Sequence, residues 1–415
     1  MSKRTIQYLF KSQFDYLAST PQPLKNRKAI YAIAHCRTPD MGVSYFACKD
    51  QHEVIQQYHS CRNRSCYLCS EKTKHDWIEK QKTHLLNVPH FHVVFTLPHE
   101  YLTLWRYNES LFTQLLFRAS QQTLMELLGD DKYHGITPGI LMALHTWGRA
   151  LPLHPHTHCL VTAGGLTAAG DWQGIDDYLL PIRVVKRLYR GKVQALLREA
   201  FAAERLVLPP DMDAWLFWQL YRTTYKKEWS VRIEKRYEHG QGVMLYLARY
   251  VKSGPIHPEQ ISFDGRNKLS FRYFDHRSKR VKTMRLSVPE FLSLFLQHVP
   301  ALSLHTVRYY GLYAASHHSR GLPALQALGN LANERSHSGL VPRDMLLLCR
   351  TCGGRTHWIG SQWRGRVKAI SINKEDRANG SVQQDAEVGF RIRGPDSTPG
   401  QSQAPPLFFR CAISA

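Results

Sequence analysis

Leu153-His154-Pro155-His156-Thr157-His158-Cys159-Leu160-Val161 places three histidines at every second position. In an extended strand, successive side chains alternate between faces. His154, His156 and His158 then share one face, and Thr157, Cys159 and Val161 fall on the other. Two or three neutral imidazoles with open coordination positions suit a divalent ion that polarises a phosphoryl oxygen and leaves room for substrate. The competing reading is a polar cluster on a sheet face. That is the ordinary fate of a single histidine and a poorer account of three at period two.

Around this strand the pattern alternates between strand and helix. Phe91 to Leu97 is β-branched and aromatic-rich between Pro89 and Pro98, and reads as a buried strand. Residues 109–128 carry apolar side chains at helical spacing, and Gly139 to His145 and His158 to Thr162 read as two further strands. A helical layer follows over 183–228. Trp229 to Ile233 is then a strand, Val243 to Val251 a helix, and Leu269 to Phe274 with Lys282 to Leu286 a hairpin. Such an order predicts an α+β sheet domain. Beyond residue 371 the chain turns Gly-, Pro-, Ser- and Gln-rich, and this tail is expected to be disordered.

The 415 residues are 43% hydrophobic, enough for a sizeable core and two or three domains. Lys and Arg number 55 against 33 Asp and Glu, a formal net charge of +22. That excess calls for a polyanionic partner, and nucleic acid fits best. No apolar run is long enough to span a bilayer, and the first ten residues lack the features of a secretory signal. A cytoplasmic, nucleoid-associated protein is expected. In a reducing compartment its nine cysteines serve as metal ligands or buried thiols rather than disulfides.

Cys61, Cys66 and Cys69 combine a Cys-x2-Cys turn with a third thiol, and Cys36, Cys48 and His52 lie upstream. Thiolates and imidazole at these spacings suit tetrahedral zinc. Six candidates fill one site and leave a surplus toward a second. Arg62 and Arg64 sit inside the ligand loop, where a rigid knuckle presents them to DNA, although a solvated basic loop would look the same. Cys349 and Cys352 form an isolated pair, either an inert turn or half of a zinc site.

Tyr246-Leu-Ala-Arg249-Tyr250-Val-Lys252 sets two phenols one helical turn apart. Taken alone, such a pair is usually core. Taken in order with the cysteine loop and the histidine strand, it resembles the HUH-type rolling-circle transposases of bacterial insertion sequences. The resemblance covers residues 30 to about 315 and includes Ser60-Cys-Arg-Asn-Arg64, His145-Thr-Trp-Gly-Arg149, Phe271-Arg-Tyr-Phe274, Lys282-Thr-Met284, Phe295-Leu-Gln-His298 and Val307-Arg-Tyr-Tyr-Gly-Leu312.

The resemblance implies an HUH-endonuclease-like antiparallel sheet with helices, preceded by a small Cys-rich zinc-binding module. His156 and His158 would hold Mg²⁺ or Mn²⁺, with His154 as third ligand. Tyr246 and Tyr250 would be nucleophiles that nick single-stranded DNA at insertion-sequence ends, giving a 5′-phosphotyrosine and a free 3′-hydroxyl without ATP. Arg249 and Lys252 beside them would contact the strand. Thr157 stands where the family motif has a hydrophobic residue. Where the family has a second Cys-x2-Cys, the chain has Lys49-Asp-Gln and then His52, so either His52 substitutes as ligand or that corner is weakened. The Cys349/Cys352 pair resembles the family's late Cys-x2-Cys-Gly-Gly.

The expected organisation is a zinc-binding DNA-recognition module over 1–85 and a nuclease and strand-transfer domain over 86–315. A C-terminal extension over 316–370 and the tail over 371–415 follow. The alternatives are a replication initiator using the same residues, a zinc-dependent DNA-binding regulator without catalysis, and a metallo-hydrolase, which leaves the tyrosines without a role.

Overall fold

A computed structural model describes residues 5–82, 84–238, 254–263, 267–275, 278–314, 328, 348–363 and 366–369. The expected helix with Tyr246, Arg249, Tyr250 and Lys252, and the tail over 371–415, lie outside them. The described elements run α1 (Thr5–Ser12), α2 (Phe14–Ser19), α3 (Leu24–Ala34), β1 (Val43–Cys48), β2 (Val54–Tyr58), α4 (Tyr67–Lys82) and β3 (His90–Thr96). Then come α5 (Leu102–Tyr107), α6 (Glu109–Gly129), β4 (Thr137–Trp147), β5 (Leu153–Leu166), β6 (Trp172–Gly174), α7 (Ile182–Ala202), α8 (Ala214–Lys226) and β7 (Val231–Tyr237). The last are β8 (Ile261–Phe263), β9 (Lys268–Asp275), β10 (Arg280–Ser287), α9 (Val288–Leu296), β11 (Val307–Gly311), β12 (Thr356–Trp363) and β13 (Arg366–Ala369).

The architecture is α+β with antiparallel sheets, as the sequence pattern predicts. The central sheet has the order β11-β4-β5-β3-β7, with β6 paired to β5, and its ladders are antiparallel. One face packs on α6 and α7. Phe91, Val93, Phe95, Met142, Leu144 and Val161 interlock there with Leu116, Phe117, Leu124, Val185, Tyr189 and Val193, all at most 3% exposed. The other face carries Leu141, Ala143 and Leu160 against Trp77 and Ile78 of α4. With both faces covered, β4 reads as a nearly unbroken apolar run rather than an alternating one.

A second core joins the N-terminal helices to a late hairpin. Ile6, Leu9 and Phe10 of α1 and Ile30 and Ile33 of α3 meet Phe271 of β9 and Phe291 and Phe295 of α9. Helix α9 starts at a capping box: the Ser287 hydroxyl accepts from the Glu290 amide at 3.3 Å, and the Glu290 carboxylate accepts from the Ser287 amide at 2.8 Å.

The chain falls into two compact units, Met1–Val43 with Gln57–Leu346, and Ser44–Gln56 with Leu347–Ala415. The smaller unit holds a four-stranded sheet in the order β13-β12-β1-β2.

Candidate metal centres

Three imidazoles gather on the α4 side of the central sheet, but only two come from the quoted strand. The β4–β5 ladder sets His145 opposite His156 and Ala143 opposite His158, and residues opposite each other share a face. The ligand nitrogens of His145, His156 and His158 lie within 4.8 Å of one another, and all three side chains are buried. Ring centroids are 4.2 Å apart for His145 and His158 and 4.8 Å apart for His156 and His158.

His154 is exposed and stands outside this set. The ladder is irregular between His145 and Trp147, where His154 enters the strand, and such an irregularity adds local twist and re-aims side chains. The backbone of His154 still contributes, because its carbonyl accepts from His156 Nδ1 at 2.5 Å. That bond requires the proton on Nδ1 and leaves the Nε2 lone pair of His156 for a ligand role. His158 Nδ1 lies 2.8 Å from Nε2 of His92, which fixes its ring in the same way. Burial lowers His156 to about 4 and pushes His158 well below its ordinary value. Both are therefore neutral at pH 7, the form that binds metal. The donor set, three buried imidazoles of which His156 and His158 have their rings held by hydrogen bonds, fits a divalent ion with open positions.

Thr157 points to the opposite face, where its hydroxyl lies 3.0 Å from that of Ser120 on α6. The polar residue between the two histidines thus has a buried partner on the helix behind the sheet. Sequence reasoning missed His145 and His92 as site residues. His145 is one histidine at the end of an apolar run and His92 is paired at period two only with His90, so strand register is what reveals their neighbours in the cluster.

Cys36, Cys61, Cys66 and Cys69 converge with their sulfurs within 4.8 Å of one another. Sγ of Cys69 lies 3.5 Å from that of Cys36 and 3.6 Å from that of Cys61. A tetrahedral zinc with bonds of about 2.3 Å spaces its sulfurs by about 3.8 Å, so the cluster is close to metal-binding geometry. The Asn63 amide donates to Cys61 Sγ at 3.4 Å, and Arg62 adopts a left-handed φ of 53° to turn the loop. Hydrogen bonds from Cys61 and Cys66 lower Cys36 to about 7, and those from Cys36 and Cys61 lower Cys69, while Cys61 and Cys66 are raised by the same sharing.

Cys69 lies in the first turn of α4, whose Gln81 accepts from the Tyr309 hydroxyl at 2.9 Å over the histidine face. One helix therefore connects the thiol cluster to the histidine side of the sheet. Arg62 is exposed at the tip of the knuckle, whereas Arg64 is half-buried in a recess with Glu109, Thr146, Trp147 and His298. Cys48 and His52 do not join the four thiols. They lie instead with Cys349 and Cys352.

The family described as "Transposase zinc-binding domain" matches residues 9–97, and the one described as "Putative transposase" matches residues 139–320. The chain belongs to the IS91-type transposases that carry an N-terminal zinc-binding domain, and such enzymes act on DNA. It is similar to the "Putative transposase y4qJ" of Sinorhizobium fredii (strain NBRC 101917 / NGR234), 33% identical over 69% of this chain and 73% of that one. It is also similar to the "Transposase for insertion sequence element IS801" of Pseudomonas savastanoi pv. phaseolicola, 29% identical over 86% of this chain and 94% of that one. The four-cysteine cluster lies within the zinc-binding match. No helix among the described residues is long and apolar enough to cross a membrane.

Proposed function

We propose that the chain nicks single-stranded DNA at insertion-sequence ends and transfers the cut strand through a 5′-phosphotyrosine link, in rolling-circle transposition. The observation that carries this reading is the buried triad of His145, His156 and His158 on an antiparallel sheet, in a chain with a transposase's zinc-binding domain. The triad would hold Mg²⁺ or Mn²⁺, which when bound polarises the scissile phosphate.

The protein's own groups divide the remaining work. The His154 carbonyl and His92 orient the imidazoles, and the rigid sheet fixes their spacing. Tyr246 and Tyr250 supply the nucleophile. A phenolic oxygen bonds to phosphorus, the bond from phosphorus to the 3′-oxygen breaks, the phenolic proton passes to water and the leaving oxygen gains one. One phosphodiester replaces another, so no nucleotide is consumed. The excess positive charge holds the strand largely through phosphate contacts, Arg62 on the zinc knuckle among them. A replication initiator would share this chemistry, and the similarity to insertion-sequence transposases favours transposition.

Purified protein incubated with Mn²⁺ and single-stranded oligonucleotides from its element's ends should give a denaturation-resistant protein–DNA adduct. His156→Ala with His158→Ala should abolish the adduct and spare most DNA affinity. Undiminished cleavage by that double variant would exclude the triad as the metal site.

A further inference from the structure

Cys48 and His52 bracket the turn after β1, and Cys349 and Cys352 bracket the turn before β12, about three hundred residues later. All four lie in the smaller unit, with their ligand atoms within 4.8 Å of one another. His52 Nδ1 is 3.6 Å from Cys48 Sγ and 4.0 Å from Cys349 Sγ. A tetrahedral zinc bonded at about 2.3 Å to sulfur and about 2.0 Å to nitrogen puts those atoms about 3.5 Å apart.

Both turns are shaped to present their ligands. Gln51, at a left-handed φ of 53°, donates its amide to the Cys48 carbonyl at 3.0 Å, and the His52 amide donates to Cys48 Sγ at 3.4 Å. Gly353, at φ 66°, donates to the Cys349 carbonyl at 2.8 Å, and the Cys349 amide donates to the Gly354 carbonyl at 2.9 Å. The Arg350 amide donates to the Glu53 carboxylate, joining one turn to the other.

The described residues of this unit form no apolar core of their own. Among its described residues the buried apolar side chains are Ala47, Cys48 and Cys349, and β2 is exposed along almost its whole length. So small a sheet needs a cross-link, and a bound metal is one of the few available.

We propose that Cys48, His52, Cys349 and Cys352 bind a second, structural zinc ion that fastens the β1–β2 hairpin to β12 and β13. Four protein ligands complete a tetrahedron and leave no open position, so the ion holds chain and does no chemistry. The site is independent of strand cleavage, and so is its test.

Full-length protein prepared without chelator, in a His156→Ala, His158→Ala background that removes the histidine triad, should carry two zinc ions per chain by elemental analysis. Cys349→Ser with Cys352→Ser should lower this to one and speed amide exchange in 44–58 while leaving 24–34 protected. X-ray absorption of the two-zinc protein should show an imidazole nitrogen that His52→Ala removes, a readout that survives even if the serine variant fails to fold. One zinc with an all-sulfur shell, or two ions retained by the serine variant, would overturn the proposal.

Discussion

His92 Nε2 sits 2.8 Å from His158 Nδ1, and the two rings stack at an interplanar angle of 10°. The pair joins β3 to β5 on the histidine face and holds His158 so that its other nitrogen points toward His145 and His156. His92→Ala is therefore expected to weaken Mn²⁺ binding by about 10–100-fold while leaving the zinc content unchanged. Titration of Mn²⁺ followed by electron paramagnetic resonance reads this directly. Unaltered Mn²⁺ affinity would show that His92 orients nothing.

The same burial makes acid destabilising. His90, His92, His156 and His298 are each lowered to about 4, in every case first because burial disfavours the charged ring. An unfolded chain takes up protons at these sites once the pH falls below about 6.5, while the folded chain refuses them until about 4. The stabilisation is complete above about 6.5 and drains away as the pH falls from there toward 4. His298 is the clearest case, because it is buried with Nε2 donating to the Leu151 carbonyl at 3.1 Å and Nδ1 lying 3.2 Å from the Thr146 hydroxyl, so its neutral ring already has a partner at each nitrogen. Urea midpoints should be flat above neutrality and fall steadily below about 6.5, and His298→Gln should flatten that fall. A midpoint independent of pH down to 5 would contradict the account.

The hydroxyl pair of Thr157 and Ser120 invites a double-mutant cycle. Both groups are fully buried and lie 3.0 Å apart. Thr157→Val keeps the branched shape but leaves the Ser120 hydroxyl without this partner, a cost of about 1–3 kcal/mol. Ser120→Ala has the converse effect. Removing both should cost less than the two singles together, and equilibrium unfolding of the four proteins measures the coupling. Strict additivity would mean that the hydroxyls do not interact.

What the sequence made legible follows from the range of each signal. The helix over 109–129, the strands flanking the histidines and the turn of Cys66 and Cys69 are set by spacings of two to four residues, and local periodicity reveals them. His145 becomes a site residue only through its register with His156, and nothing in Ile140 to Leu144 marks it. Alternation alone groups His154 with His156 and His158, whereas the imidazoles that gather are those of His145, His156 and His158, and the ladder is irregular where His154 enters the strand. The cysteines between 36 and 69 look like one cluster along the chain. They separate into two because the partners of Cys48 and His52 lie at 349 and 352. Helices α1 to α3 gave no early signal, since they are short, pack on one another, and complete their shared core only with α9 and the β9 strand far downstream.

The last prediction concerns Tyr246 and Tyr250, which the helical reading of Val243 to Val251 sets one turn apart. If both are nucleophiles, one can hold the cut donor strand while the other attacks the next phosphate, so one active site completes two transfers in succession. Each single phenylalanine variant should keep an initial covalent adduct or lose one step only, and the double variant should form none. Phenylalanine keeps the ring and removes the hydroxyl, so loss of the adduct cannot be assigned to a cavity. Peptide mapping of the adduct decides between tyrosines. Tyr237 is the described alternative to watch, because it ends β7 with its ring 6.5 Å from that of His92. Tyr225 is a weaker one, exposed on α8 beneath the Arg190 guanidinium at 5.0 Å. DNA attached to either, with the Tyr246→Phe, Tyr250→Phe protein still forming adduct, would place the nucleophile on the sheet or on α8 instead.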